Sequence, residues 1–193
     1  MNYTRRGDTI YFGNYYYEGK TKEPIAWDIL EERDGKALIV TRYIIDTKRF
    51  FSDANSYAES HIRKWLNNNF YNEAFNSSER CIIQLTKVDN SLESTLTRTN
   101  DYICRDTYDK IFLLSCKEVM DYIPQSQRYV KCTPYAKHQG LATYFQVGDW
   151  WLRSPCQFYY PTKVFVVVHD GSIGGEYVDT NSIGVRLACW IKL

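Results

Sequence analysis

Trp150-Trp151-Leu152-Arg153-Ser154 reads as a β-strand, and the segments around it decide the fold. Downstream, Val164-Phe165-Val166-Val167-Val168 is apolar throughout, which predicts a strand buried on both faces. Asp170-Gly171 turns the chain, Glu176-Tyr177-Val178 gives a third short strand, and the run from Gly184 to Ile191 gives a fourth. Short strands in succession are antiparallel neighbours. With helices placed earlier in the chain, this predicts an α+β domain.

Upstream of that run, Thr133-Pro134 starts a helix, with Thr as cap and Pro in the first turn, and Gly140 closes it. Ser115 and Glu118 form a capping box whose helix must stop near Pro124. Ile111 to Leu114 has strand character, while residues 86–108 are polar and read as a long loop. Ser56 and Glu59 form a second capping box, followed by Ala58, Ile62, Trp65 and Leu66 at helical spacing, with Asn67-Asn68-Asn69 ending the helix. Near the start, Asp8 to Gly13 is a short strand. The alternating Ile25, Trp27 and Ile29 and the run Ala37 to Val40 flank Asp34-Gly35, a strong hairpin signal. With no repeat and no linker, residues 1–193 read as one domain.

Composition narrows the function. The net charge is +1 with both signs mixed along the chain, so no basic stripe points to nucleic acid. No apolar run reaches the length of a membrane span, and Met1 to Asp8 has no signal-type stretch, so the chain reads as cytoplasmic. The six cysteines form no C-x-x-C pair and read as buried small residues. Seventeen Tyr, nine Phe and five Trp are an unusual aromatic load, and such rings serve cores and interfaces alike.

Trp150 to Pro155, the hairpin at Asp170-Gly171 and Gly184-Val185-Arg186, together with Trp27 to Leu30, Ile62 to Asn67 and Lys110 to Ser115, resemble an uncharacterised bacterial family, the DUF6273 type. Two positions depart from that family's pattern: Cys156 stands where Gly is usual, and Leu187 where Pro is usual. The C-terminal layout is more remotely similar to the C-type-lectin-like fold of formylglycine-generating enzymes, in which a Gly-Phe-Arg holds the place of Gly184-Val185-Arg186. That resemblance implies a sheet whose loops after residue 153 and around 174–183 meet a ligand. The same fold serves retroelement-diversified variable proteins. Cys156, Phe158, Tyr159 and Tyr160 fit adenine mutagenesis of Asn codons, whereas Gln157 does not.

On these grounds the expected function is a non-enzymatic binding module for a protein or, second, a glycan. The expected contact residues are Trp151, Gln157, Phe158, Tyr159, Tyr160, Glu176, Tyr177 and Asn181, since alternation sends one of the two adjacent Trp residues outward. Trp150, Arg153, Gly184, Arg186 and Trp190 are expected to be structural. No metal or other cofactor is expected: Glu23-Pro24-Ile25 and Gly148-Asp149-Trp150 do not supply the oxygen set that calcium needs. The rival reading is a copper oxidase of the formylglycine-generating type using Cys156 and Cys189.

Overall fold

A computed structural model describes residues 3–97, 104–156 and 162–193. Among them strand outweighs helix, 41% to 22%, and almost all strand pairs are antiparallel. The first sheet begins with β1 (Thr4–Arg6), β2 (Thr9–Glu18), β3 (Thr21–Arg33) and β4 (Lys36–Thr41) in meander order. Asp34 and Gly35 both have positive φ, 50° and 68°, so the expected Asp-Gly hairpin is a two-residue turn of the kind that matches strand twist. The first expected strand is longer than its apolar start suggested, because Tyr15 continues the buried face past a bulge at Phe12-Gly13.

Beyond β4 the chain passes through β5 (Asp46–Thr47) into the helical part. Here two expectations change. Ser56 makes no capping bond. Instead, Ser60 caps α1 (His61–Trp65) by accepting from the Arg63 N–H. Nor does Asn67 end the helix, which runs on through a π turn (Leu66–Phe70) into α2 (Tyr71–Ala74). The Asn67 side chain is used elsewhere: its oxygen accepts from Lys110 and Ile111 N–H, and its amide donates to the Ile111 carbonyl at 2.8 Å. That exchange pins the helix to the 110–112 segment.

Next come α3 (Ser77–Arg80), β6 (Thr86–Val88), α4 (Leu92–Thr95) and β7 (Thr107–Asp109). β6 and β7 pair with each other, so the ends of the expected 86–108 loop are a small ribbon. Residues 111–114 are buried but join the first sheet only through a bridge at Phe112. α5 (Cys116–Tyr122) has the expected capping box from Ser115 and Glu118. β8 (Val130–Lys131), α6 (Pro134–His138) capped by Thr133, β9 (Thr143–Tyr144) and β10 (Val147–Gly148) lead to β11 (Trp150–Pro155).

The C-terminal part adds β12 (Lys163–Val167), β13 (Ile173–Tyr177), β14 (Gly184–Val185) and β15 (Ala188–Lys192). The expected fourth strand is thus split. β14 joins the second sheet, ordered β13-β12-β11-β14-β5, while β15 completes the first beside β4. The β4-to-β5 passage crosses between the same two sheets, and the two crossings bind each other. Thr41 N–H donates to the Leu187 carbonyl at 2.9 Å and Ile45 N–H to that of Val185 at 3.1 Å. Strands that change sheets at a shared corner are a usual way to join two layers. The break at 186–187 therefore forms with Leu187 in place of Pro. One apolar core runs through both sheets, from Ile10 and Trp27 to Trp151 and Ile191.

Candidate functional site

β11 is central in its sheet, and all six of its residues are buried. Both faces of this strand are covered, so alternation sends neither indole to solvent. Trp151, expected at a contact surface, is fully buried against Phe50, with its indole N–H donating to the Lys48 carbonyl at 2.8 Å. Trp150 is equally buried and donates to the Arg128 carbonyl at 3.1 Å. Trp190 is only half-buried, with the Arg33 guanidinium 4.8 Å from its ring centre.

Both motif arginines are tied to the fold. Arg153 has no exposed side-chain surface and makes a fork to Glu118, with one nitrogen also on the Leu113 carbonyl and the other on that of Asp89. Arg186 donates to the Thr41 carbonyl at 2.8 Å, lies 5.1 Å from the Trp150 ring centre and faces Asp28 at 3.5 Å. Burial pulls its guanidinium down to about 10, with Asp28 opposing. It is therefore charged at neutral pH and stands as a post at the corner between the sheets. Gly184 lies at the same corner, close to Ile44 and the Asp149 carbonyl.

Of the expected contact residues, Gln157, Phe158, Tyr159 and Tyr160 lie outside the described residues. Glu176, Tyr177 and Asn181 lie inside: Glu176 and Tyr177 end β13 at one end of the second sheet, and Asn181 follows in the loop that leads to β14. Tyr177 is 44% exposed on β13, which is the sheet's edge. The Lys163 ammonium sits 4.3 Å from its ring centre, a cation–π contact. The Glu176 carboxylate accepts from the Tyr177 N–H at 2.8 Å, and the Asn181 amide oxygen accepts from Arg49. Cys156 fits beside this end because Gly175 opposes it, where any Cβ would come 2.6 Å from its sulfur.

Cys156 follows β11 in the second sheet, whereas Cys189 lies in β15 of the first. The cysteine that neighbours Cys156 is Cys116, whose thiol burial pushes up to about 12, with Cys156 adding to the rise. Burial alone raises the Cys189 thiol. Cys81 is exposed and Cys104 and Cys132 are half-buried, so the expectation of buried cysteines holds for Cys116, Cys156 and Cys189. Among the described residues no group of three or more metal-ligating side chains converges, and no helix is long and apolar enough to cross a membrane.

Two features escaped the sequence reading. At the other end of the second sheet, β9 and β10 are joined by Phe145 and Gln146, both with positive φ, 47° and 70°. Phe145 is 83% exposed, and Tyr144 beside it packs edge-on against it and near His169.

The other feature is a tyrosine-lined cleft over the β2–β3 hairpin. Tyr15, Ile25 and Ile45 are buried beneath it, and Tyr11, Tyr16, Tyr17 and Tyr43 line it with Glu23 and Arg42. Tyr15 donates to Asp46 at 2.7 Å, Tyr16 stacks on Tyr135 at 4.9 Å, and Tyr17 meets Tyr43 edge-on at 6.2 Å. Burial, then Tyr43 and Glu23, raise the Tyr17 hydroxyl above its ordinary value. The run Tyr15-Tyr16-Tyr17 was the available signal: three adjacent tyrosines in a strand cannot all face a core.

No curated protein and no solved structure matches this chain. A family model described as a domain of unknown function, DUF6273, matches residues 34–193, starting in the β3–β4 turn and covering well over half of the chain. The strand that carries both buried motif tryptophans, the corner at Arg186 and the edge at Tyr177 all fall within the matched part, and the chain belongs to the DUF6273 family.

Proposed function

We propose that this chain is a non-enzymatic binding module, a single domain of C-type-lectin-like layout, that presents aromatic side chains to a protein ligand. The layout is supported by β15 returning antiparallel to β4 and by a second sheet whose loops lie at its two ends. The contact set is Tyr177, Glu176 and Asn181 together with the segment 157–160. A glycan is the second ligand class.

The observation that carries the reading is Tyr177, a large ring left 44% exposed on an edge strand yet fixed in place by Lys163. A ring already ordered before binding loses little further entropy in a complex, and tyrosines of this kind are common hot spots. Mixed charge and a net charge of +1 favour a protein over a nucleic acid as partner.

The test is photocrosslinking from position 177 in the otherwise native chain, paired with thermal shifts in EDTA, calcium or copper(I). A discrete crosslinked protein that a Lys163→Ala variant captures poorly supports the reading. No crosslink above that of a buried control position overturns it. A calcium- or copper-dependent shift overturns its metal-free character.

A further inference from the structure

We propose that the tyrosine-lined cleft over the β2–β3 hairpin is a second ligand site, and that it takes a linear, neutral oligosaccharide. The cleft shares walls with three further cavities, one of them, of about 500 Å³, having Tyr11, Glu23 and Pro24 in common with it. Another, of about 640 Å³, shares Tyr16 with it and adds Tyr135, Glu73 and His138. The cleft itself is about 190 Å³. A third of about 440 Å³ shares Tyr17, Tyr43 and Thr133 with it and adds Lys131 and Lys137. Adjoining cavities divided by aromatic ridges suit a chain of rings better than one compact ligand.

The chemistry of the lining selects the ligand class. A pyranose ring has apolar C–H faces that pack on aromatic side chains and hydroxyls that both donate and accept. The cleft offers aromatic surface from Tyr16, Tyr17 and Tyr43. The hydroxyls of Tyr11, Tyr17 and Tyr43 and the Glu23 carboxylate have no hydrogen-bond partner among the described residues. Arg42 is held by Asp28 through its Nε at 2.7 Å. An anionic ligand would meet Glu23, and a cationic one would meet Arg42, so the lining favours neither sign.

A proline-rich peptide also packs on tyrosine ridges, but it offers carbonyl acceptors and few donors. It would bring fewer donors to the Glu23 carboxylate than a sugar does. β1 pairs with β2 only up to Tyr11 and β4 with β3 only from Trp27, so the hairpin tip has open edges, but a strand added there would lie in the sheet plane and not against the aromatic faces. Sugar hydroxyls satisfy the carboxylate and the guanidinium at once.

The site is independent of the surface at Tyr177, so failure of either proposal leaves the other standing. The experiment is saturation-transfer NMR and calorimetric titration of the whole chain with maltohexaose, cellohexaose, mannohexaose and chitohexaose. At least one is expected to bind. Tyr17→Ala and Tyr43→Ala should each weaken that binding about tenfold. Glu23→Gln, an isosteric change at an exposed position, should weaken it several-fold with an unchanged melting curve, which keeps the test valid if a tyrosine variant folds poorly. Tyr177→Ala should leave it unaltered. Binding by none of the four sugars overturns the proposal. So does binding undiminished in the cleft variants, or hexaproline binding in their place.

Discussion

Arg153 and Glu118 form a two-nitrogen, two-oxygen fork in which the arginine side chain is wholly buried and the longer contact is 2.9 Å. Glu118 also accepts from the Ser115 N–H at 2.8 Å, as the second half of the α5 capping box. One carboxylate therefore closes a helix terminus and neutralises a buried cation on the central strand of the second sheet. Burial works against the charge on Arg153, but Glu118 outweighs it and the guanidinium is held above its ordinary value.

Removing one partner of this pair is expected to cost far more than the pair itself contributes, because the other charge stays behind without compensation. Glu118→Ala should lower stability by about 3–5 kcal/mol. Arg153→Lys should also destabilise, since an ammonium cannot reproduce the fork. Urea unfolding of the two variants checks this. A loss below about 1 kcal/mol for Glu118→Ala, the size of an exposed pair, would place the interaction at the surface instead.

Gly184 makes a different kind of demand. A Cβ there would sit 2.3 Å from the Ile44 methyl and 3.0 Å from the Asp149 carbonyl oxygen, at the corner where two strands change sheets. Gly184→Ala should cost about 1–3 kcal/mol by overpacking. Pairing it with Ile44→Val does not help, because Cγ2 is the clashing atom and valine keeps it. Ile44→Ala removes that methyl and should restore part of the loss, and thermal melts of the single and double variants would show the coupling.

Local signals were legible where a residue acts on its own neighbours. The Asp34-Gly35 turn, the Ser115–Glu118 box and the Thr133-Pro134 start all follow from bonds within a few residues. One local expectation also failed, since Ser60 and not Ser56 caps α1, but most of what failed depended on distant partners. Asn67 looked like a helix end because its amide commonly competes with the backbone, but residues 110 and 111 occupy that amide. Trp151 looked half-exposed because alternation assumes one open sheet face, and no local pattern shows that residues 48–57 cover the other. The split between β14 and β15 rests on Thr41, which is 145 residues from Arg186. For the site, Tyr177 is exposed at the end of β13, whereas the cleft went unseen because its walls come from separate segments.

The apex at Phe145 and Gln146 should be less stable than it needs to be. Both residues have left-handed backbone conformations, which favour Asn and Gly in two-residue hairpin turns, and Phe145 gains almost no burial in return. Replacing the pair with Phe145→Asn and Gln146→Gly should stabilise by about 1 kcal/mol and raise Tm by roughly 2–4 °C. An unchanged or lower Tm would mean that the Tyr144 ring contact with Phe145 outweighs the backbone strain.

At alkaline pH the buried phenols and thiols should govern stability. Burial, then the Asp46 charge, raises the Tyr15 hydroxyl, and burial raises that of Tyr57. Burial with a hydrogen bond to Glu31 pushes Tyr122 up to about 12, and burial raises Cys116 to about 12. Each group keeps its proton to higher pH when folded than when unfolded. Their stabilisation is thus complete below the unfolded values, about 8.5 for a thiol and about 10 for a phenol, and is lost as pH rises toward the folded ones. Urea midpoints should be level up to about pH 8 and fall steadily above it. Tyr122→Phe should make that fall shallower, since it deletes one of the titrating groups without leaving a cavity. A midpoint that stays level to about pH 11 would show that these groups ionise alike in both states.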